Sequence, residues 1–368
     1  MITDHLFRFR RGRSIVLAAC LALSIAVAGC ANEDQREGGS QTTAPSIAPS
    51  ETTDTTTVIA PHPALPDGAE EIDVAVGEYE LPGKLTMPGA DAEGPNVVVL
   101  FVAGSGPSDM DETIGAAGNA PLRDLAYQLA DEGVPSLRYD KRYHAAPESY
   151  SDSDTIDDEV LDDVSAALQM LETHPDTAGR QIIVVGHSLG GMLIPAIAAQ
   201  HPEVAGAAIL AGTPRTLWEV IRDQNQAQVD AMDIDPEQAE QMMAQVNEEV
   251  DRANELSDPE AEPVLGSLPA PYVVSLNELD LAETARTLDI PLLVMQGEAD
   301  IQTSATVDFE AWQDVLADVP DVTYQLFPDL NHLFMKTAGV EGIADYDPEN
   351  AVDPEVSKTI DSWLNERW

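Results

Sequence analysis

Cysteine, lysine and long apolar runs are all scarce in this chain of 368 residues. Its two cysteines, Cys20 and Cys30, cannot staple a small disulfide scaffold, and its 43% apolar content is enough to bury a large core without one. There is no internal repeat, no His-Glu-x-x-His and no cysteine–histidine cluster or compact carboxylate set, so neither a metal nor another cofactor is expected. Basic residues number 18 against 66 acidic ones, a formal charge of −48, and such a surface repels nucleic acid and anionic lipid headgroups.

The long apolar run at residues 15–28 is too short for a comfortable membrane span. It follows Arg8, Arg10, Arg11 and Arg13, the charge-then-apolar order of an export signal. It ends in Val27-Ala28-Gly29-Cys30, which resembles the lipobox of bacterial lipoproteins. That resemblance implies a signal peptide over residues 1–29, a lipidated Cys30 as the new N-terminus, and an exported protein anchored by lipid to the outer face of the cell membrane. Removing residues 1–29 takes away four arginines and one aspartate, leaving 14 basic against 65 acidic side chains, a charge of −51. Only Lys84, Lys141, Lys336 and Lys358 supply lysine, a balance that suits either a saline exterior or a merely acidic exoprotein. Residues 30–66 are rich in Ser, Thr, Pro, Ala and Glu and read as a disordered tether.

From residue 67 to 368 strand-like and helix-like segments alternate, which predicts an α/β domain: a mainly parallel sheet with helices on both faces. Strands are expected at 72–76, 83–87, 96–102, 135–139, 181–186, 205–211, 291–296 and 322–327. Several, such as Ile182-Ile183-Val184-Val185, are apolar without alternation, as strands covered on both faces must be. The first two read as an antiparallel edge pair. Residues 213–289 interrupt the pattern with a helical cap insertion, in which Met232, Met242 and Met243 could line an acyl pocket or fill the cap's own core.

Gly186-His187-Ser188-Leu189-Gly190 falls between an expected strand and a helix expected at 189–200. Gly-x-Ser-x-Gly in that setting is the nucleophile elbow of an α/β-hydrolase, with Gly186 and Gly190 relieving crowding around Ser188. A serine hydroxyl is a weak nucleophile and needs a base, and the base needs an orienting acid. The α/β-hydrolase pattern that this elbow resembles runs in the chain order nucleophile, acid, histidine; among the histidines only His332 lies downstream of every strand, and it is the expected base. His144, His174 and His201 fall at helix ends and loops, and His187 should point away from the nucleophile. Asp300, in the turn after the penultimate strand, is the expected acid, with Glu298 and Asp329 as rivals. The tetrahedral intermediate needs two backbone donors. One is the N–H of Leu189; the other comes from the loop Gly104-Ser105-Gly106, by position Ser105, with Gly104 and Gly106 as alternatives. Arg138, Asp140, Lys141 and Arg142 form the densest basic cluster, read as a buried Arg138–Asp140 network supporting loops or, alternatively, an anion site.

Phe101-Val102-Ala103-Gly104-Ser105-Gly106-Pro107, Asp111-Glu112-Thr113, Leu137-Arg138-Tyr139-Asp140-Lys141-Arg142, Gly186-His187-Ser188-Leu189-Gly190-Gly191, Gln296-Gly297-Glu298-Ala299-Asp300 and Leu330-Asn331-His332-Leu333-Phe334 together resemble the EstD-type bacterial carboxylesterases. These are relatives of the serine aminopeptidase and dienelactone hydrolase groups of the α/β-hydrolase superfamily. The resemblance implies a serine esterase cleaving short acyl esters with Ser188, Asp300 and His332 as triad. The chain departs from the pattern at Met110, where the family usually has Arg, and at Ile301, where it tends to carry a basic or aromatic residue. The same triad would serve a peptidase or amidase, and a non-catalytic surface-binding relative would be marked by loss of a triad member. No such loss occurs.

Cys30→Ala should abolish acyl labelling in metabolically labelled cells and move the protein out of the membrane fraction. Unchanged fractionation would contradict the anchor.

Overall fold

The computed structural model describes residues 58–368. The signal segment, Cys30 and most of the expected tether lie outside the described residues. Eight strands form one sheet: β1 (Glu70–Val76), β2 (Leu81–Met87), β3 (Val97–Val102), β4 (Ser136–Tyr139), β5 (Gln181–His187), β6 (Val204–Leu210), β7 (Leu292–Gly297) and β8 (Val322–Phe327). Their spatial order is β1-β2-β4-β3-β5-β6-β7-β8. β1 and β2 pair antiparallel at one edge, β2 meets β4 antiparallel, and every later pairing is parallel.

Alternate residues of the central strands feed two cores. Val98, Leu100 and Val102 of β3 and Ile182 and Val184 of β5 face one side of the sheet. Val97, Val99, Phe101, Ile183 and Val185 face the other. Helices Asp162–Thr173 and Ile194–Gln200 cover the first side, and helices Pro121–Asp131 and Pro354–Asn365 the second. The uninterrupted apolar runs of the sequence are the consequence of this double cover, each buried Val or Leu contributing about 1.5–3 kcal/mol over exposure. Parallel pairing also gathers the loops after β3, β5, β7 and β8 at one edge of the sheet.

Three expectations are corrected. The tether was expected to reach residue 66, yet the chain is already docked at Val58, which bridges Glu349. Ile59 N–H donates to Glu349 O at 2.8 Å, and His62 Nδ1 lies 3.0 Å from the buried Asp124 carboxylate. The helix expected over 189–200 is two segments, Leu189–Met192 and Ile194–Gln200, because Pro195 has no N–H to give to the preceding turn. In the insertion, residues 216–256 carry a helical period throughout and were expected as continuous helix, yet they form two helices, Leu217–Asp230 and Pro236–Glu255. Thr216 and Glu219 form a capping box on the first, and Asp235 caps the second ahead of Pro236. Ala270–Asn277 and Leu281–Arg286 complete the insertion.

The basic cluster is wired differently from expectation. Buried Arg138 bonds to Glu71, to Asp111 at 2.7 Å and to Thr86 at 2.7 Å, whereas Asp140 accepts the N–H of Met110 at 2.7 Å. Arg142 donates to Asp163 at 2.8 Å. The cluster ties β1, β2 and the loop after β3 to β4, and its cations are spent on internal carboxylates rather than open to an anion.

Arg138→Met should lower unfolding free energy by about 3 kcal/mol, because it leaves Glu71 and Asp111 without their cation. Arg252→Met, which breaks an exposed pair with Glu249, should change it by less than about 0.5 kcal/mol. Urea midpoints at constant slope measure both; similar values for the two variants would refute the assignment.

Candidate active site

Ser188 sits directly after β5 with φ 52° and ψ −116°, a conformation that costs a non-glycine residue roughly 1–3 kcal/mol. The turn tolerates no bulk. A Cβ on Gly186 would fall 2.3 Å from Gly190 O, and one on Gly190 would fall 2.2 Å from Val102 O. Both glycines are required for the elbow to close and to press against the end of β3. Ser188 N–H is fixed by Leu210 O at 2.9 Å. Its hydroxyl has no hydrogen-bond partner among the described residues and faces a cavity.

The loops after β7 and β8 bring Asp300 and His332 together. His332 Nδ1 donates to Asp300 Oδ2 at 2.7 Å, which leaves Nε2 as the bare nitrogen. Asp300 is fully engaged. Gln296 Nε2 at 2.6 Å and Thr303 Oγ1 at 2.8 Å donate to Oδ2, and the N–H groups of Gln302 (2.7 Å) and Thr303 (3.1 Å) donate to Oδ1. Burial alone would raise this carboxyl, but His332 and the two backbone N–H groups outweigh it and hold Asp300 below the usual carboxylate range. The rivals fall away, since Glu298 and Asp329 are both exposed to solvent. The same carboxylate thus closes the turn after β7 through the N–H groups of Gln302 and Thr303 while it pairs with the histidine.

Of three neighbouring N–H groups in the loop after β3, two are taken. Gly104 N–H donates to Glu112 Oε1 at 2.8 Å and Gly106 N–H to Glu159 Oε1 at 3.1 Å. Ser105 N–H meets no acceptor among the described residues, and Ser105 lines the same cavity as Ser188. Leu189 N–H stands at the first position of its helix, where no intrahelical acceptor exists.

Sequence reasoning missed two buried ion pairs around these loops. His187 Nδ1 donates to Glu112 Oε2 at 2.8 Å and Nε2 donates to the His332 carbonyl at 2.9 Å. With acceptors at both nitrogens the ring is held as imidazolium. Burial opposes that charge, but Glu112 outweighs it and raises His187 above the ordinary histidine value of 6.5. Burial likewise pushes Glu112 up, and His187 together with Gly104 N–H brings it below 4.5. The His187 ring lies 4.8 Å from that of His332, centroid to centroid. Lys141 forms the second pair, with Glu159 at 2.7 Å. Burial raises Glu159, but Lys141, Tyr272 and Gly106 N–H more than offset it. Glu112 and Lys141 stood in sequence motifs; their partners are set by packing alone.

The cavity beside Ser188 measures about 30 Å³. Leu189 and Met192 line it from the elbow and Leu217, Val220 and Gln224 from the insertion; Gln302 lines it too, with Gln224 donating to Gln302 O at 3.2 Å. The three insertion methionines do not line it. Met243 is buried in the insertion's packing, Met242 packs partly against it and Met232 is 45% exposed, because their helical positions face the insertion's own core or solvent. Among the described residues, no group of three or more His, Cys, Asp or Glu could hold a metal ion.

A doubly covered sheet, a strained serine on the turn after β5 and a histidine–aspartate pair beyond β7 and β8 define a hydrolase. The chain belongs to the alpha/beta hydrolase family, whose model matches residues 99–345. It is 35% identical over 302 residues to Esterase EstD of Thermotoga maritima, an alignment covering 81% of this chain and 68% of that protein. Among solved structures it is similar to Est1E from Butyrivibrio proteoclasticus, at 15% identity and a TM-score of 0.50 over 80% of this chain and 98% of that one. An esterase of Pyrococcus furiosus matches at 14% identity and a TM-score of 0.50 over 90% and 99%. These two likenesses bear on the fold.

The Glu112–His187 pair makes a pH-dependent contribution to stability. Glu112's depressed pKa adds stability above 4.5 that is lost as pH falls through its folded value; His187's raised pKa adds stability below 6.5 that is lost as pH rises through its own. The stability difference between wild type and Glu112→Gln should therefore peak between these two values, at about 3 kcal/mol, and shrink on either side. A difference that stays flat from about pH 3 to about pH 9 in urea titrations would refute the charged pair.

Proposed function

We propose that this protein is a serine carboxylesterase cleaving short-chain carboxylic esters through an acyl-enzyme on Ser188. The observation that carries the reading is the 2.7 Å contact between His332 Nδ1 and the buried Asp300 carboxylate, on the loops facing the Ser188 turn. In this mechanism Ser188 Oγ attacks the ester carbonyl and passes its proton to His332 Nε2. Asp300 holds the imidazole in the required tautomer and stabilises the imidazolium. The N–H groups of Leu189 and Ser105 receive the oxyanion. His332 then protonates the leaving alkoxide, and a water activated by the same nitrogen hydrolyses the acyl-enzyme, returning Ser188 to its starting state. The serine–histidine hydrogen bond is commonly loose before substrate binds. The names of its relatives, Esterase EstD among them, agree with an ester substrate.

The cavity supports a short acyl group. One water needs on the order of 10–15 Å³ of such space, so 30 Å³ accommodates about two waters' worth of acyl chain. The insertion's first helix supplies the wall that limits length. We further propose that the enzyme works outside the cytoplasm, held to the membrane by lipid on Cys30, a reading that rests on the sequence at residues 8–30.

Ser188→Ala should reduce hydrolysis of p-nitrophenyl acetate and butyrate by at least about 10⁴-fold while leaving the fold intact by circular dichroism. For the wild type, kcat/KM should fall by about tenfold or more from butyrate to octanoate, because forcing extra methylenes into a filled cavity costs about 1–3 kcal/mol. Turnover surviving in Ser188→Ala would refute the mechanism, and a preference for octanoate would refute the cavity assignment.

A further inference from the structure

Lys141 and Glu159 are a buried cation and anion outside the catalytic set, 5% and 4% exposed. Lys141 Nζ makes two short bonds, to Glu159 Oε1 at 2.7 Å and to the carbonyl oxygen of Gly104 at 2.8 Å. That carbonyl belongs to the same peptide unit as the N–H of Ser105. In a planar trans peptide the C=O and N–H point in opposite directions. A cation seated on the carbonyl therefore fixes the direction of the N–H across the plane, and this N–H is the one without an acceptor beside Ser188.

We propose that Lys141 is a positioning residue that aims the Ser105 N–H at the oxyanion and strengthens it by polarising the Gly104–Ser105 peptide from behind. This deepens the serine-esterase reading and rests on it. A charged donor on an amide oxygen draws electron density from the nitrogen, so the amide hydrogen becomes a better donor, and the effect is larger in a low-dielectric interior. Glu159 completes the device in two ways. It balances the lysine charge, and it accepts the N–H of Gly106 at 3.1 Å, fixing the next peptide in the loop. Glu112 holds Gly104 N–H from the other side at 2.8 Å. The central peptide is thus clamped before, behind and after, with its own N–H left for the reaction.

Glu159 carries one more contact, a hydrogen bond from Tyr272 on the insertion helix Ala270–Asn277. The insertion that limits the acyl cavity thereby also touches the carboxylate that steadies the oxyanion loop.

The test is the double substitution Lys141→Met with Glu159→Gln, which removes both charges and leaves neither buried and unpaired. Lys141→Leu with Glu159→Gln, which also leaves no charge unpaired, is the companion if the first double variant is poorly soluble. The probes are p-nitrophenyl acetate turnover and inhibition by a short alkyl trifluoromethyl ketone, whose serine adduct places a real oxyanion in the hole. The expected result is a fall in kcat of about 10- to 100-fold, KM within about twofold, and ketone affinity weakened by the same factor as kcat/KM. Unchanged kcat and ketone affinity would overturn the proposal. So would a loss expressed in KM together with a lowered melting temperature, which marks a loop support only. Failure of the underlying reading looks different: the wild-type protein itself would then show neither esterase turnover nor fluorophosphonate labelling of Ser188.

Discussion

A carboxylate taken out of water must be given a cation or several N–H donors in exchange, and the site is organised around three such exchanges. Glu112 is matched by the cationic ring of His187 and Glu159 by Lys141, while Asp300 is matched by the N–H donors of His332, Gln302 and Thr303. An unpaired ion of this kind costs several kcal/mol, and removing one partner from a buried pair costs about 3–5 kcal/mol. Each pair therefore acts as a bolt between segments far apart in sequence: 75 residues for Glu112 and His187, 18 for Lys141 and Glu159, 32 for Asp300 and His332. The loops after β3, β7 and β8 leave the sheet without a helix directly attached, and these bolts tie them to one another and to the β5 turn.

The arrangement separates two uses of the same chemistry. At the surface an excess of acidic side chains faces water. Inside, acids are few and each has a specified partner, so the scarce buried cations mark where the chain's loops are fixed. Lys141 is buried, whereas Lys336 and Lys358 lie in exposed pairs. The strained backbone of Ser188 belongs to the same economy of order: it persists because glycine at 186 and 190 lets β5 and the following helix enclose it.

Much of the fold was legible in the sequence because its signals are local. All eight strands were marked by apolar runs or turn residues, and the eventual ends differ by a residue or two. Ser188 was legible because its glycines sit on either side of it, and His332 and Asp300 because chain order in this architecture restricts them. Segment joins were harder. Pro195 and Pro236 break helical periods that the apolar pattern alone carries through, and residues 58–66 look like tether although His62 and Ile59 dock against Asp124 and Glu349. The ion pairs were invisible for a different reason. Periodicity says which face a residue occupies, but nothing in Glu112 or Lys141 names a partner on another strand's loop, and Arg138 was matched to nearby Asp140 when packing gives it Glu71 and Asp111.

The central claim is that catalysis passes through an ester on Ser188. Acid-quenching the enzyme during turnover of p-nitrophenyl acetate, followed by intact-mass and peptide mass spectrometry, tests it most directly. The account predicts a protein species heavier by one acetyl group, mapped to the peptide containing Ser188 and absent from Ser188→Ala. An adduct on another residue, or rapid turnover with no Ser188 adduct at any quench time and no burst of p-nitrophenol, would contradict it.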